Sequence, residues 1–217
     1  LGDVYKRQVL MISILSHVVE FRNSESGQHV LHIRTLTGLL LHQLAQKTDR
    51  YQLDESDISL ISTASALHDI GKIMIPEEIL NKPGRLTEEE YAAIKTHTTE
   101  GARILKELAI GQDEPLVKVA HAICRWHHER WDGGGYPDRL KGDEIPIAAQ
   151  VVALADVYDA LTSERCYKQS YSHEKAVDMI LHGECGSFNP LLMECLKESS
   201  ELLRTELQLS LIHISEP

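Results

Sequence analysis

Residues 147–163 read IAAQVVALADVYDALTS, directly after Pro146. Proline just ahead of an apolar run is a helix-opening signal, because its fixed φ suits the first turn and its missing N–H is not needed there. Apolar side chains fall on every side of the helix that follows, so it has no face to offer water and is expected to be buried. Two carboxylates, Asp156 and Asp159, interrupt it one turn apart. A charge in a buried helix costs several kcal/mol unless it is paired or bound to a metal. A metal is the simplest account of Asp156.

Helical periodicity also governs the segments around this helix. Residues 9–22 read as one helix, and 26–47 as another with Val30, Ile33, Leu36, Leu40 and Leu44 on one side. A third begins at Asp54 or Ser56, runs to about His68 and stops at Gly71. Pro76 and the cluster Asn81-Lys82-Pro83-Gly84 mark a loop. Thr87 and Glu90 form a capping box opening a helix that carries Ile94, His97, Ile104 and Leu105. A helix over about 115–128 leads into the glycine loop 132–135, and shorter helices follow at about 173–182 and 190–206. Alternating strand patterns, repeats and low-complexity tracts are lacking. The expected class is all-α, a compact helical bundle.

The totals narrow the function. The chain has 217 residues, 42% hydrophobic and 25% charged, the balance of an ordinary globular domain. Its formal net charge is -11, which argues against broad binding of a nucleic acid polymer. An anionic substrate would have to be drawn in locally by metal ions and a few Lys or Arg side chains, which favours a small phosphate ester. Cys124, Cys166, Cys185 and Cys195 show neither a CxxC pair nor a disulfide framework and read as reduced thiols, so the expected location is cytoplasmic. The apolar stretch Val9–Val19 falls short of the roughly 20 residues a membrane span needs. Residues 1–8 (LGDVYKRQ) and 207–217 (ending LSLIHISEP) read as translated adapter sequence. They flank one domain over 9–206, expected to be a piece of a longer protein.

Twelve histidines is a high count, and several stand beside carboxylates or glycines. Glu25 and His29 are four residues apart and share a helix face. His68-Asp69 precedes Gly71, and His127-His128 precedes the glycine loop, both at helix ends where neighbouring side chains can converge. With His97 and Asp156 these make eight candidates. Imidazole with carboxylate is the ligand set of iron, manganese and zinc hydrolytic centres, and so many ligands exceed one tetrahedral zinc. They suit two or three ions about 3.5–4 Å apart, clamping a phosphate and activating a water. His32 and His121 stand as candidates for orienting a ligand. His17, His42, His173, His182 and His213 read as ordinary residues.

These residues carry a family resemblance. His29, His68-Asp69 and Asp156 match the H…HD…D pattern of the HD metal-dependent phosphohydrolases. HDIGK at 68–72 and HHERWDGGGYP at 127–137 resemble the HD-GYP subfamily, as do ESGQHV at 25–30, KTHTTEG at 95–101 and ADVYDALTSERCYK at 155–168. The resemblance implies a helical HD-type fold with two or three divalent ions, iron or manganese, hydrolysing cyclic di-GMP to GMP by way of pGpG. It implies that Glu25, His29, His68, Asp69, His97, His127, His128 and Asp156 hold metal, with Asp69 bridging two ions. Lys72, one turn beyond Asp69, is expected to stabilise developing charge or assist the leaving group. Tyr136, Asp159, Arg165 and Lys168 are the remaining candidate substrate contacts. The family loop commonly carries Ser or Thr where this chain has Gly134, which removes a hydroxyl and loosens the loop. Further expectations are a missing N-terminal receiver or sensor domain and diguanylate cyclase (GGDEF) domains as possible partners. The alternatives are a non-hydrolytic cyclic di-GMP sensor and hydrolysis of another cyclic dinucleotide such as cyclic GMP-AMP.

Overall fold

Helix α8 (Ile147–Thr162) is the axis of the molecule: Ala149, Val151, Val152, Leu154 and Ala155 lose all contact with solvent along it. The computed structural model describes residues 2–23, 28–107, 113–163 and 170–215, and their side chains except at 2–5, 8 and 209–215. Every regular element among the described residues is helical. Helix α2 (Gln28–Lys47) packs along α8, and α3 (Glu55–Ser65) fills the angle between them. Helices α6 (His97–Glu107) and α7 (Pro115–Trp126) pair on one flank. Helices α9 (His173–Leu181) and α10 (Pro190–Ser215) close the other. Helix α1 (Gly2–Arg22), the short α4 (Glu77–Leu80) and α5 (Glu88–Lys95) complete the order. None of the described helices is long and apolar enough to cross a membrane.

The helix starts follow local chemistry. Asp54 accepts a hydrogen bond from the Asp57 backbone N–H while Asp57 accepts from Asp54, a capping box that opens α3. Thr87 and Glu90 repeat the arrangement at α5. Ser172 caps α9, and Pro115 stands at the start of α7. Apolar stripes then decide which face turns inward: Val30, Ile33, Leu36, Leu40 and Leu44 of α2 are all buried.

Four boundaries differ from the sequence reading. The single helix expected to open at Thr87 and carry Ile94, His97, Ile104 and Leu105 is two helices, because Thr96 Oγ1 and Thr96 N both bond the Ala93 carbonyl and tighten the turn before His97. The helix expected to reach His68 ends at Ser65, where Ser62 and Ser65 hydroxyls bond carbonyls within their own helix. Helices α1 and α10 extend to Gly2 and Ser215, through the segments set aside as non-native; no proline interrupts either stretch.

Side-chain hydrogen bonds tie the segment 66–81 to α1, one of them from Asn81 Nδ2 to the Arg22 carbonyl at 2.9 Å. Ser16 Oγ donates to the Ala66 carbonyl at 2.7 Å, and Arg22 donates to the carbonyls of Ile73 and Ile75. On the other side, Gly71 meets the backbone of α6: a Cβ there would stand 1.9 Å from the His97 carbonyl and 2.4 Å from the Gly101 nitrogen. No side chain fits. Gly71→Ala is therefore expected to destabilise by about 3 kcal/mol or more, the upper end of overpacking costs. In a domain of this size that lowers Tm by roughly 6–12 °C, which thermal unfolding would measure. A Tm within about 2 °C of the parent would refute the close approach.

Candidate metal centre

The last carbonyls of a helix have acceptor capacity to spare, because a carbonyl oxygen has two lone pairs and the regular backbone ladder ends there. Three histidines use it in the same way. His68 Nδ1 donates to Ser65 O at the end of α3 (2.9 Å), and His97 Nδ1 donates to Ile94 O at the end of α5 (2.7 Å). His127 Nδ1 is shared between Ile123 O and Cys124 O at the end of α7. In each case the hydrogen sits on Nδ1, so a neutral ring carries its lone pair on Nε2. His182 makes the same bond at the end of α9 yet is exposed, so the motif fixes the tautomer without by itself making a site.

His29 is oriented differently. Its Nδ1 meets Asp159 Oδ2 at 2.7 Å, and the other oxygen of Asp159 meets His32 Nδ1 at 2.7 Å. Asp159 is thus buried behind His29, at 1% exposure, bracing two imidazoles. Expected as a substrate contact, Asp159 has both oxygens engaged by protein groups, Oδ1 also accepting from the Ser163 hydroxyl at 2.8 Å. The reading of His32 as an orienting partner agrees with its position. His121 instead lies edge-on to Trp126.

The consequence is a set of lone pairs aimed at one another. His29 Nε2 and His68 Nε2 lie 3.4 Å apart, as do His97 Nε2 and His127 Nε2. Asp69 stands between the pairs, with Oδ1 3.3 Å from His97 Nε2 and Oδ2 3.2 Å from His68 Nε2. Asp69 Oδ1 is buried with no hydrogen-bond donor. Apart from Lys72 at Asp69 Oδ2, acceptors are crowded together here without donors between them, and such a group calls for a cation. The ligand atoms of His97, His127 and His128 lie within 4.8 Å of one another, as do those of His29, His68 and Asp156. Each group could hold a metal ion, and Asp69 adjoins both. The C-terminal ends of α3, α5 and α7 all point at this cluster, adding the partial negative charge of three helix dipoles.

The protonation states follow from these surroundings. Burial and the neighbouring His68 push His127 down to about 3, and burial with His127 beside it holds His128 well below the usual imidazole range. Burial likewise lowers His97. His68 goes the other way: burial opposes its protonation, but the Asp69 charge, the hydrogen bond to Asp69 and the Asp156 charge together outweigh burial and raise it. Burial disfavours ionised Asp69, yet Lys72 and His68 together hold its carboxyl well below the ordinary range. Lys72 Nζ is 2.6 Å from Asp69 Oδ2.

The loop after His128 forms one wall. Tyr136 stacks on His128 with ring centres 4.9 Å apart. Glu129 Oε1 accepts from the backbone N–H groups of Asp138 and Arg139, which folds the loop back on itself. The sequence reading passed over Glu129; its only signal was a carboxylate directly after two histidines. Gly135 presses against residues 129–130, where a Cβ would stand 2.4 Å from Arg130 N and no side chain fits. At Gly134 the backbone needs no glycine. Asp132 Oδ1 accepts from its N–H at 2.8 Å, a local bond that restrains the loop where the missing hydroxyl was expected to loosen it. Glu25, Arg165 and Lys168 fall outside the described residues.

Comparison with known proteins gives a consistent set of likenesses. A family model described as HD domain matches residues 10–187. A probable cyclic di-GMP phosphodiesterase of Vibrio cholerae is 41% identical over 197 residues, 89% of this chain and 44% of that protein. The 3'3'-cGAMP-specific phosphodiesterase 2 of the same organism is 40% identical over 90% of this chain and 35% of its own length. The chain thus spans less than half the length of either relative. Among solved structures, a cyclic GMP-AMP specific phosphodiesterase of V. cholerae (V-cGAP3) superposes with a TM-score of 0.64 at 20% identity, over 97% of this chain and 53% of that one, a likeness of fold.

Proposed function

The chain belongs to the HD domain family, and on that premise we propose that it is a metal-dependent phosphodiesterase that opens cyclic di-GMP to pGpG and then GMP. The observation that carries this reading is the ring of inward-facing Nε2 lone pairs around Asp69. His29, His68 and Asp156 would hold one ion, and His97, His127 and His128 a second, with Asp69 between them. Glu25 would support a third. Mixed imidazole and carboxylate donors suit iron or manganese. Such ions supply Lewis-acid charge for a phosphoryl oxygen and lower the pKa of a bound water.

The protein's own groups do the rest. Asp69 and Lys72 form a close charged pair at the mouth of the cluster, where Lys72 can shift from Asp69 to a phosphoryl oxygen as negative charge builds. Asp159 keeps His29 in the tautomer that presents Nε2 inward. Tyr136 walls the site beside His128, and burial raises its phenol above the usual range, so it stays neutral next to an anionic substrate. Arg165 and Lys168 are further candidate grips on the substrate phosphates.

Protein loaded anaerobically with iron or manganese is expected to convert cyclic di-GMP to pGpG and GMP. The double variant His68→Ala, Asp69→Ala should do neither and should take up less metal. Tight binding without turnover would support a sensor instead. Turnover retained in the double variant would place the chemistry elsewhere. Relatives named for either dinucleotide stand at similar identity, so 3'3'-cGAMP belongs in the same assay as a second substrate. Lys72→Met should lower kcat about 10²-fold, the scale of losing one charge-stabilising donor, with metal content unchanged. A kcat within about twofold of the parent would exclude Lys72 from the reaction.

A further inference from the structure

Beside the metal-facing histidines, and walled by Tyr136, lies a groove of about 720 Å³. Tyr91, Lys95, Arg130, Arg139 and the glycine run 133–135 line it. Lys95 Nζ sits 5.0 Å from the centre of the Tyr91 ring and 5.8 Å from that of Tyr136, so two aromatic faces hold the ammonium in place. Lys72, Lys82 and Arg125 each pair with a carboxylate. Among the described residues, Lys95, Arg130 and Arg139 have no such partner. Three uncompensated cations at one groove, in a chain of net charge -11, mark a place for something electron-rich.

The donors there are of one kind. Lysine and arginine donate hydrogen bonds and accept none. The outer edge of guanine offers two acceptors, O6 and N7, whereas adenine pairs an N7 acceptor with an amino donor. Tyr91 and Tyr136 add ring faces of the sort on which bases stack. Because Tyr136 also stacks on His128, a phosphodiester held at the histidines brings its flanking nucleoside to this groove.

We propose that the groove is a guanine subsite, in which Lys95, Arg130 and Arg139 read the O6/N7 edge of the base beside the scissile phosphodiester. The proposal rests on the phosphodiesterase reading of the metal centre. It has a consequence for mixed dinucleotides. Cyclic di-GMP can enter with either base in the groove, 3'3'-cGAMP in only one of its two orientations, and cyclic di-AMP in neither. One phosphodiester of cGAMP is therefore opened first, giving a single linear isomer.

The test uses manganese-loaded protein with all three dinucleotides. Wild type should favour cyclic di-GMP over cyclic di-AMP by about 10- to 100-fold in kcat/KM, the scale of one bidentate base contact, carried mainly in KM. The double variant Lys95→Ala, Arg139→Ala should bring that ratio to within about threefold. It should also yield a mixture of the two linear cGAMP isomers, separated by chromatography. Tyr91→Ala gives an independent check at a position 51% exposed, where folding is not at stake, and should raise KM for cyclic di-GMP. Equal use of cyclic di-AMP by wild type, or selectivity kept in the double variant, would overturn the guanine assignment and leave the cations to a phosphate. Wild type that opens none of the three would take down the phosphodiesterase reading as well, a result distinct from hydrolysis without base preference.

Discussion

Asp69→Asn should produce a protein that folds as well as its parent and turns over at least about 10³-fold more slowly. The side chain keeps its shape but loses the charge that lies between the two histidine groups. Asp69 Oδ1 is 3.3 Å from His97 Nε2 and 3.8 Å from His127 Nε2, and Oδ2 is 2.6 Å from Lys72. An asparagine can turn its amide nitrogen toward the two imidazole lone pairs and its oxygen toward Lys72. Both sides keep hydrogen bonds and the carboxylate no longer has to be desolvated, while Lys72 loses its counter-charge. These two changes oppose each other, and the chelator-treated variant is expected to melt within a few degrees of chelator-treated wild type. Catalysis suffers for the same reason: the amide puts a neutral, weaker ligand where the carboxylate would hold metal. Losing the several kcal/mol of charge stabilisation a metal pair supplies corresponds to about three powers of ten. Metal analysis, kcat and thermal unfolding on one preparation separate these effects. A variant that keeps its full metal content and more than about a tenth of the activity would remove Asp69 from the centre of the site.

That position was legible in the sequence by type and not by geometry. The doublet His68-Asp69 before Gly71 announces a helix end, and helix starts at Asp54 and Thr87 are written in their capping boxes. The burial of α8 follows from its apolar surround. The tautomers were not legible, because they depend on which helix-end carbonyls stand within reach of each ring where α3, α5 and α7 stop. The break at Thr96 was missed for a related reason: a threonine hydroxyl competes with the helix ladder in a way that periodicity does not register. Of the groove cations, Lys95 ends α5 whereas Arg130 and Arg139 share the loop between α7 and α8, and only the folded chain brings the helix and the loop together. Asp159 was visible as a charge in an apolar helix, but its imidazole partners lie 127 and 130 residues away.

Those distant partners make Asp159 the second position where a small change should cost a great deal. Its two oxygens each accept an Nδ1–H, one from His29 and one from His32. Burial opposes its ionisation, but the two imidazole hydrogen bonds outweigh burial and hold the carboxyl below its usual range. Asparagine offers one acceptor and one donor in the same space. It can satisfy one imidazole and must face the other with donor against donor, so one ring has to turn or give up its Nδ1 hydrogen. If His29 turns, its lone pair leaves the group formed with His68 and Asp156. Partners that orient a metal-binding histidine typically contribute 10- to 100-fold in metal affinity. Breaking a buried charged contact costs about 3–5 kcal/mol of stability. Asp159→Asn should therefore weaken metal binding by about one to two powers of ten in a chelator-competition titration. His32→Ala should spare affinity more, because it leaves the His29 bond intact and removes only the second donor. Equal losses in the two variants would mean that Asp159 acts through general packing; a larger loss in Asp159→Asn would mark it as the residue that aims His29.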